Sequence, residues 1–139
     1  MSRLKPRSAV SFALVVTLLF VAAACGGDEE GETITLGGEG ANDHGSEDVS
    51  AEGELDFELD DFYFAPTVLN GTSGQVITLH LENEGEEEHN FSLPDQEIDQ
   101  DVEAGETADV SVTFPDSGTL VFFCEYHENM GMRGALRVE

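Results

Sequence analysis

Positive charge is the scarcest property of this chain. Its 139 residues contain five Lys and Arg against 30 Asp and Glu, a formal net charge of −25. Three of the five bases, Arg3, Lys5 and Arg7, fall at the very start, and beyond residue 24 only Arg133 and Arg137 remain. That later part carries 30 acids against two arginines, a formal −28, and no lysine. Nucleic acid and anionic lipid surfaces are excluded as partners by repulsion, whereas a basic protein would be drawn in. The same charge would also provide solubility, as in a salty medium. Cysteine is almost as rare, with Cys25 and Cys124 alone. Helical periodicity and internal repeats are missing, and after residue 27 no apolar run is long enough to cross a membrane.

The one long uncharged run, residues 8–27, follows the three bases and ends in Ala22-Ala23-Ala24 before Cys25. It resembles the export signal of bacterial lipoproteins, with Ala22 where that motif usually has Leu. The resemblance implies a signal peptide over residues 1–24 and a lipid-modified Cys25. The alternative is an uncleaved membrane anchor, since 20 uncharged residues are long enough to span. Both readings place the rest of the chain outside the cytoplasm, held to the outer face of the cell membrane. A lipidated Cys25 leaves Cys124 without a disulfide partner. A free thiol is a liability in an oxidising compartment, so a metal bond is the economical explanation for it.

Residues 25–53 read as a flexible acidic tether. Positions 26–53 contain eight glycines, nine acids and no base. Such a composition buries too little surface to fold, and as a coil it would reach roughly 30 Å. Thr33-Ile-Thr-Leu36 is a strand-like island within it, and His44 is expected to be solvated and inert.

Residues 54–139 read as one all-β domain. Leu55, Phe57 and Leu59 alternate with acids, Ile77, Leu79 and Leu81 alternate with polar residues, and Ala108, Val110, Val112 and Phe114 do the same. His80 falls on the wet phase of its strand and is read as surface. Pro66 and Pro94 should end strands, and Asn70-Gly71 and Ser73-Gly74 are turn chemistry. Residues 95–105, with acids at 95, 97, 99 and 101, read as a solvated loop. About seven short strands suggest a two-sheet sandwich.

The chemistry is concentrated in Cys124-Glu-Tyr-His127-Glu-Asn-Met130-Gly-Met132-Arg-Gly134, directly after the apolar run Thr119-Leu-Val-Phe-Phe123. Thiolate and thioether beside imidazole are the ligand types that select copper, given one more histidine. His44 lies in the tether and His80 points outward, so His89 is the remaining imidazole. A binuclear copper centre would need a second cysteine in this loop. A cysteine hydrolase would need an exposed thiol in basic surroundings. Structural zinc prefers four closed N and S ligands.

These residues resemble the C-terminal copper loop of the cupredoxins, with His89-Asn90 resembling their upstream ligand and the residue after it, and Phe64-Ala-Pro66 an early aromatic-x-Pro step. The resemblance implies a Greek-key β-sandwich and one type 1 copper ion held by His89, Cys124, His127 and an axial methionine. Met130 has the spacing of amicyanin and Met132 that of plastocyanin. Met132-Arg-Gly134 runs into the final strand as both types require, which favours Met132 and leaves Met130 as docking surface. Asn90 would tie the two ligand loops together. Multicopper oxidases have histidines flanking the cysteine, where Phe123 and Glu125 stand here.

The implied activity is electron carriage without catalysis, by a monomer. Its partners would be basic redox proteins such as a c-type cytochrome or an oxidase domain. Copper delivery is the alternative, and an adhesion or sensor module of immunoglobulin-like shape is a second.

Overall fold

The computed structural model describes residues 32–139. The expected signal peptide and Cys25 lie outside the described residues. Strands dominate: β1 (Glu32–Leu36), β2 (Glu39–Asp43), β3 (Ser46–Asp48), β4 (Glu54–Asp60), β5 (Tyr63–Ala65), β6 (Val68–Asn70), β7 (Val76–Asn83), β8 (His89–Leu93), β9 (Ile98–Val102), β10 (Thr107–Thr113), β11 (Gly118–Phe123) and β12 (Arg133–Val138). Two sheets face each other, in the orders β10-β7-β4-β5 and β3-β6-β12-β11-β8-β9, while β1 and β2 form a separate hairpin. Both main sheets are mixed, with β4 parallel to β7 and β12 parallel to β6. This is the two-sheet β-sandwich that the alternating apolar pattern suggested.

The period-two pattern places the core. Phe57 and Leu59 on β4 and Ile77, Leu79 and Leu81 on β7 are buried from one side. Leu69, Phe91, Leu93, Phe122 and Leu136 are buried from the other. Four phenylalanines, Phe57, Phe64, Phe91 and Phe122, form a cluster between the sheets with centroid separations of 4.8–6.1 Å. Such offset and edge-on aromatic contacts hold facing sheets together and fix their relative position. His80 lies on the outer face, as its strand phase predicted, between Asp109 on β10 and Glu54 on β4.

Two sequence expectations are corrected. Residues 32–53 are not a tether: β1, β2 and β3 belong to the fold, which among the described residues already includes Glu32 rather than starting at Glu54. The hairpin turns at Gly37-Gly38, both with positive φ, the conformation that a two-residue loop of type I′ demands. Its Leu36 and Ala41 are buried against Ala135, with Ile34 and Val121 packed around them. Ala135 and Val121 are cross-strand partners on the outer face of β11–β12. That face carries its own apolar patch, and the hairpin covers it. Average composition concealed this because the three or four apolar residues needed for a small second core were diluted among glycines and acids. His44 also has a neighbour after all, its ring stacked on Tyr63 at 3.4 Å.

The second correction concerns residues 95–105. Ile98–Val102 is a strand, β9, paired antiparallel to β8 along its length. Asp99 and Asp101 occupy its exposed positions while Val102 is buried. The acidic alternation was the wet face of an edge strand, where charge discourages pairing with another chain.

Candidate metal centre

Three elements bring the donors together at one end of the sandwich. Cys124 directly follows β11 and shares the inward phase of Phe122, so its sulfur points into the core and is fully buried. A tight turn follows, in which the His127 amide donates to the Cys124 carbonyl at 3.2 Å. This folds the imidazole back over the thiol, with Sγ 3.6 Å from His127 Nδ1. His89 opens β8, is fully buried, and places its Nδ1 3.2 Å from His127 Nδ1. These three donors lie within 4.8 Å of one another.

Their protonation suits a metal. Asp61 can only accept at Nε2 of His89, 2.9 Å away, so that nitrogen carries the proton and the Nδ1 lone pair faces the other donors. Burial lowers the His89 pKa and the neighbouring His127 adds to the effect, outweighing the upward pull of the Asp61 carboxylate. Burial raises the Cys124 pKa, opposed by amide donors from Asn90, Tyr126 and His127. The thiol is thus protected from bulk reagents and needs a cation beside it to be held as thiolate. Two imidazole nitrogens and one buried sulfur make a donor set that fits copper.

Asn90 joins the segment that carries His89 to the one that carries Cys124. Its amide donates to Cys124 Sγ at 3.3 Å, and its side-chain oxygen accepts from the Glu125 amide at 3.4 Å and from the Ser92 hydroxyl. Its Nδ2 donates to Asp99 and Asp101, anchoring the network to β9.

The two methionines differ sharply. Met132 is fully buried in the main core beside Cys124, and its carbonyl accepts from the Cys124 amide at 3.0 Å. Met130 is 53% exposed. Gly134 allows the close return of β12. A Cβ there would collide with the Phe122 ring and come within 2.7 Å of the Thr67 carbonyl.

Sequence reasoning missed three residues here. Asp61 holds His89. Phe62 lies 4.5 Å from the His127 ring and 6.2 Å from that of His89, centroid to centroid, covering one side of the site. Asn42 on β2 donates to the carbonyls of Phe62 and Met130, while its own amide donates to Gly131. The only sequence signal was a break in strand phase, where two acids in succession precede Phe62.

A family model described as a cupredoxin-like domain matches residues 12–138. Among solved structures, the chain is similar to reduced auracyanin from the photosynthetic bacterium Roseiflexus castenholzii. The identity is 16% and the TM-score 0.52, covering 63% of this chain and 98% of that one. It is also similar to a chain of a heme-copper terminal oxidase dimer, at 14% identity and a TM-score of 0.56, covering 78% of each. A third is the metal-binding domain of the Cu(I)-exporting P-type ATPase CopA of Streptococcus pneumoniae D39, with Cu(I). There the identity is 12% and the TM-score 0.55, covering 69% of this chain and 97% of that one. These likenesses are of fold. No curated protein matches the sequence.

Proposed function

The chain belongs to the cupredoxin-like domain family, and from that membership we propose that it is a mononuclear type 1 copper protein carrying single electrons between redox partners. The convergence of His89, Cys124 and His127 at one end of a rigid sandwich is the observation that carries this reading. One copper ion is the cofactor, supplying the Cu(II)/Cu(I) couple. Met132 is the axial ligand in this proposal, because it is buried beside Cys124 whereas Met130 faces solvent.

The protein's own contribution is to hold its donors still. Cys124 is pinned by the Asn90 amide, His89 by Asp61 and His127 by its turn, so little would rearrange when an electron arrives. Phe62 keeps water from one side. His127 is partly exposed and forms the exit toward a partner, with Met130 as apolar contact. Glu86, Glu87, Glu88 and Glu125 are exposed nearby and would steer a basic partner, such as a c-type cytochrome or an oxidase domain. The protein is proposed to be an electron carrier rather than an enzyme. It would work outside the cytoplasm, anchored through Cys25.

Copper delivery is disfavoured by the burial of His89, Cys124 and Met132, which leaves a chelator little to grasp. Addition of cupric ion to the purified soluble domain should give an intense blue thiolate-to-copper band, and Cys124→Ser should abolish it. A colourless complex, or one that yields copper readily to a weak chelator, would favour delivery. A domain that takes up no copper would remove both readings.

A further inference from the structure

We infer that Asp61 is an anionic positioning residue for His89 that lowers the reduction potential of the metal centre, and that the turn over residues 83–88 is built to hold its carboxylate there. The inference rests on the copper reading above and assigns a role to a residue outside the ligand set.

Four observations converge on it. Asp61 Oδ1 lies 2.9 Å from His89 Nε2, on the side of the ring away from the other donors. The ring itself has no solvent exposure, and the Asp61 side chain only 25%, so the charge acts on the ring with little water between. The carboxylate is itself fixed: the amides of Glu86 and Glu87 donate to its two oxygens at 3.0 and 3.3 Å. Those amides are aimed by Asn83, a buried residue whose Oδ1 accepts from the Gly85 amide. Its Nδ2 donates to the carbonyls of Glu87 and Val102.

Gly85 completes the arrangement. A Cβ at that position would overlap Asp61 Oδ1 and come within 2.8 Å of His89 Nε2. The turn therefore passes so close to the Asp61–His89 pair that only hydrogen fits. A backbone carbonyl would satisfy the Nε2 proton equally well, so orientation alone does not call for a carboxylate. What the carboxylate adds is a negative charge, and a fixed negative charge near a metal favours its more positive oxidation state. The effect passes through the imidazole without any proton transfer. The electron taken up by Cu(II) comes from the reduced partner, and Nε2 keeps its proton throughout.

The test is spectroelectrochemical titration of the copper-loaded domain, as wild type, Asp61→Asn and Gly85→Ala. Asparagine keeps the shape and removes the charge, while alanine at 85 forces the Asp61–His89 pair apart from the turn and moves the carboxylate without altering it chemically. Both variants should retain the blue band while their preference for cupric over cuprous ion falls about tenfold. For one electron that corresponds to a potential higher by about 59 mV. A merely structural Asp61 predicts lower thermal stability with an unchanged potential, and that outcome in a folded, blue variant overturns the inference. A shift in Asp61→Asn without one in Gly85→Ala overturns the role given to the turn. A wild-type domain without the blue band removes the copper reading itself, so the two failures are distinguishable.

Discussion

Met130 and Met132 are two residues apart in sequence and have opposite surroundings, which makes them a sharp residue-scale test. Met132 is enclosed by the main core, so Met132→Ala should cost about 2–5 kcal/mol, read from denaturant midpoints of the metal-free domain. It should also change the visible spectrum of the copper form. Met130→Ala removes an exposed side chain and should leave stability within about 0.5 kcal/mol and the spectrum unchanged. It should, however, slow electron exchange with a partner, measured by stopped flow. If the spectral change followed Met130 instead, the axial assignment would be reversed.

Among elements, the β1–β2 hairpin departs furthest from what composition suggests. Leu36 is the largest buried residue of its small core, and Leu36→Ala should destabilise the domain by about 2 kcal/mol in chemical denaturation. If residues 32–43 were a loose tether, the same change would have no effect. On the opposite sheet, His80 bridges β4 and β10. The Asp109 carboxylate raises its pKa above the ordinary value, with Glu54 contributing. Protonated His80 is thus favoured by folding. The resulting stabilisation is full below about pH 6.5 and disappears as pH rises through the folded-state value. Thermal melts of wild type and His80→Gln should therefore differ at pH 6 and converge by pH 9.

The long strands β4, β7 and β10 were legible because period-two alternation is a local signal, β11 because it is a continuous apolar run, and Cys124 and His127 because they fall within four residues. Asp61, Phe62 and Asn42 were not, since they reach the site through contacts with residues far away in the chain, such as Asp61 with His89 across 28 positions. β9 was hidden for a different reason. Its wet face shows acids and its partly covered Gln100 is polar, so Ile98 and Val102 alone carried the apolar phase.

For the whole molecule, charge is the dominant property. With 30 acidic residues and two arginines beyond residue 24, association with a basic redox protein should be fast at low salt and slow steeply as ionic strength rises. Stopped-flow rates against a basic cytochrome at increasing NaCl concentration would check this, and a flat profile would remove electrostatic steering from the proposal.

The early start of the fold bears on where such a partner can be met. If Cys25 carries the proposed lipid, seven peptide units lie between that anchor and Glu32, where the first described strand begins. Covalent geometry limits that leash to about 25 Å even fully extended, less than the width of the domain it holds. The carrier would be confined to a thin layer over the lipid headgroups, where its own negative charge presses it away from an anionic surface. Encounters in that layer depend on lateral diffusion in two dimensions, and they favour partners whose electron port stands at the same height above the membrane.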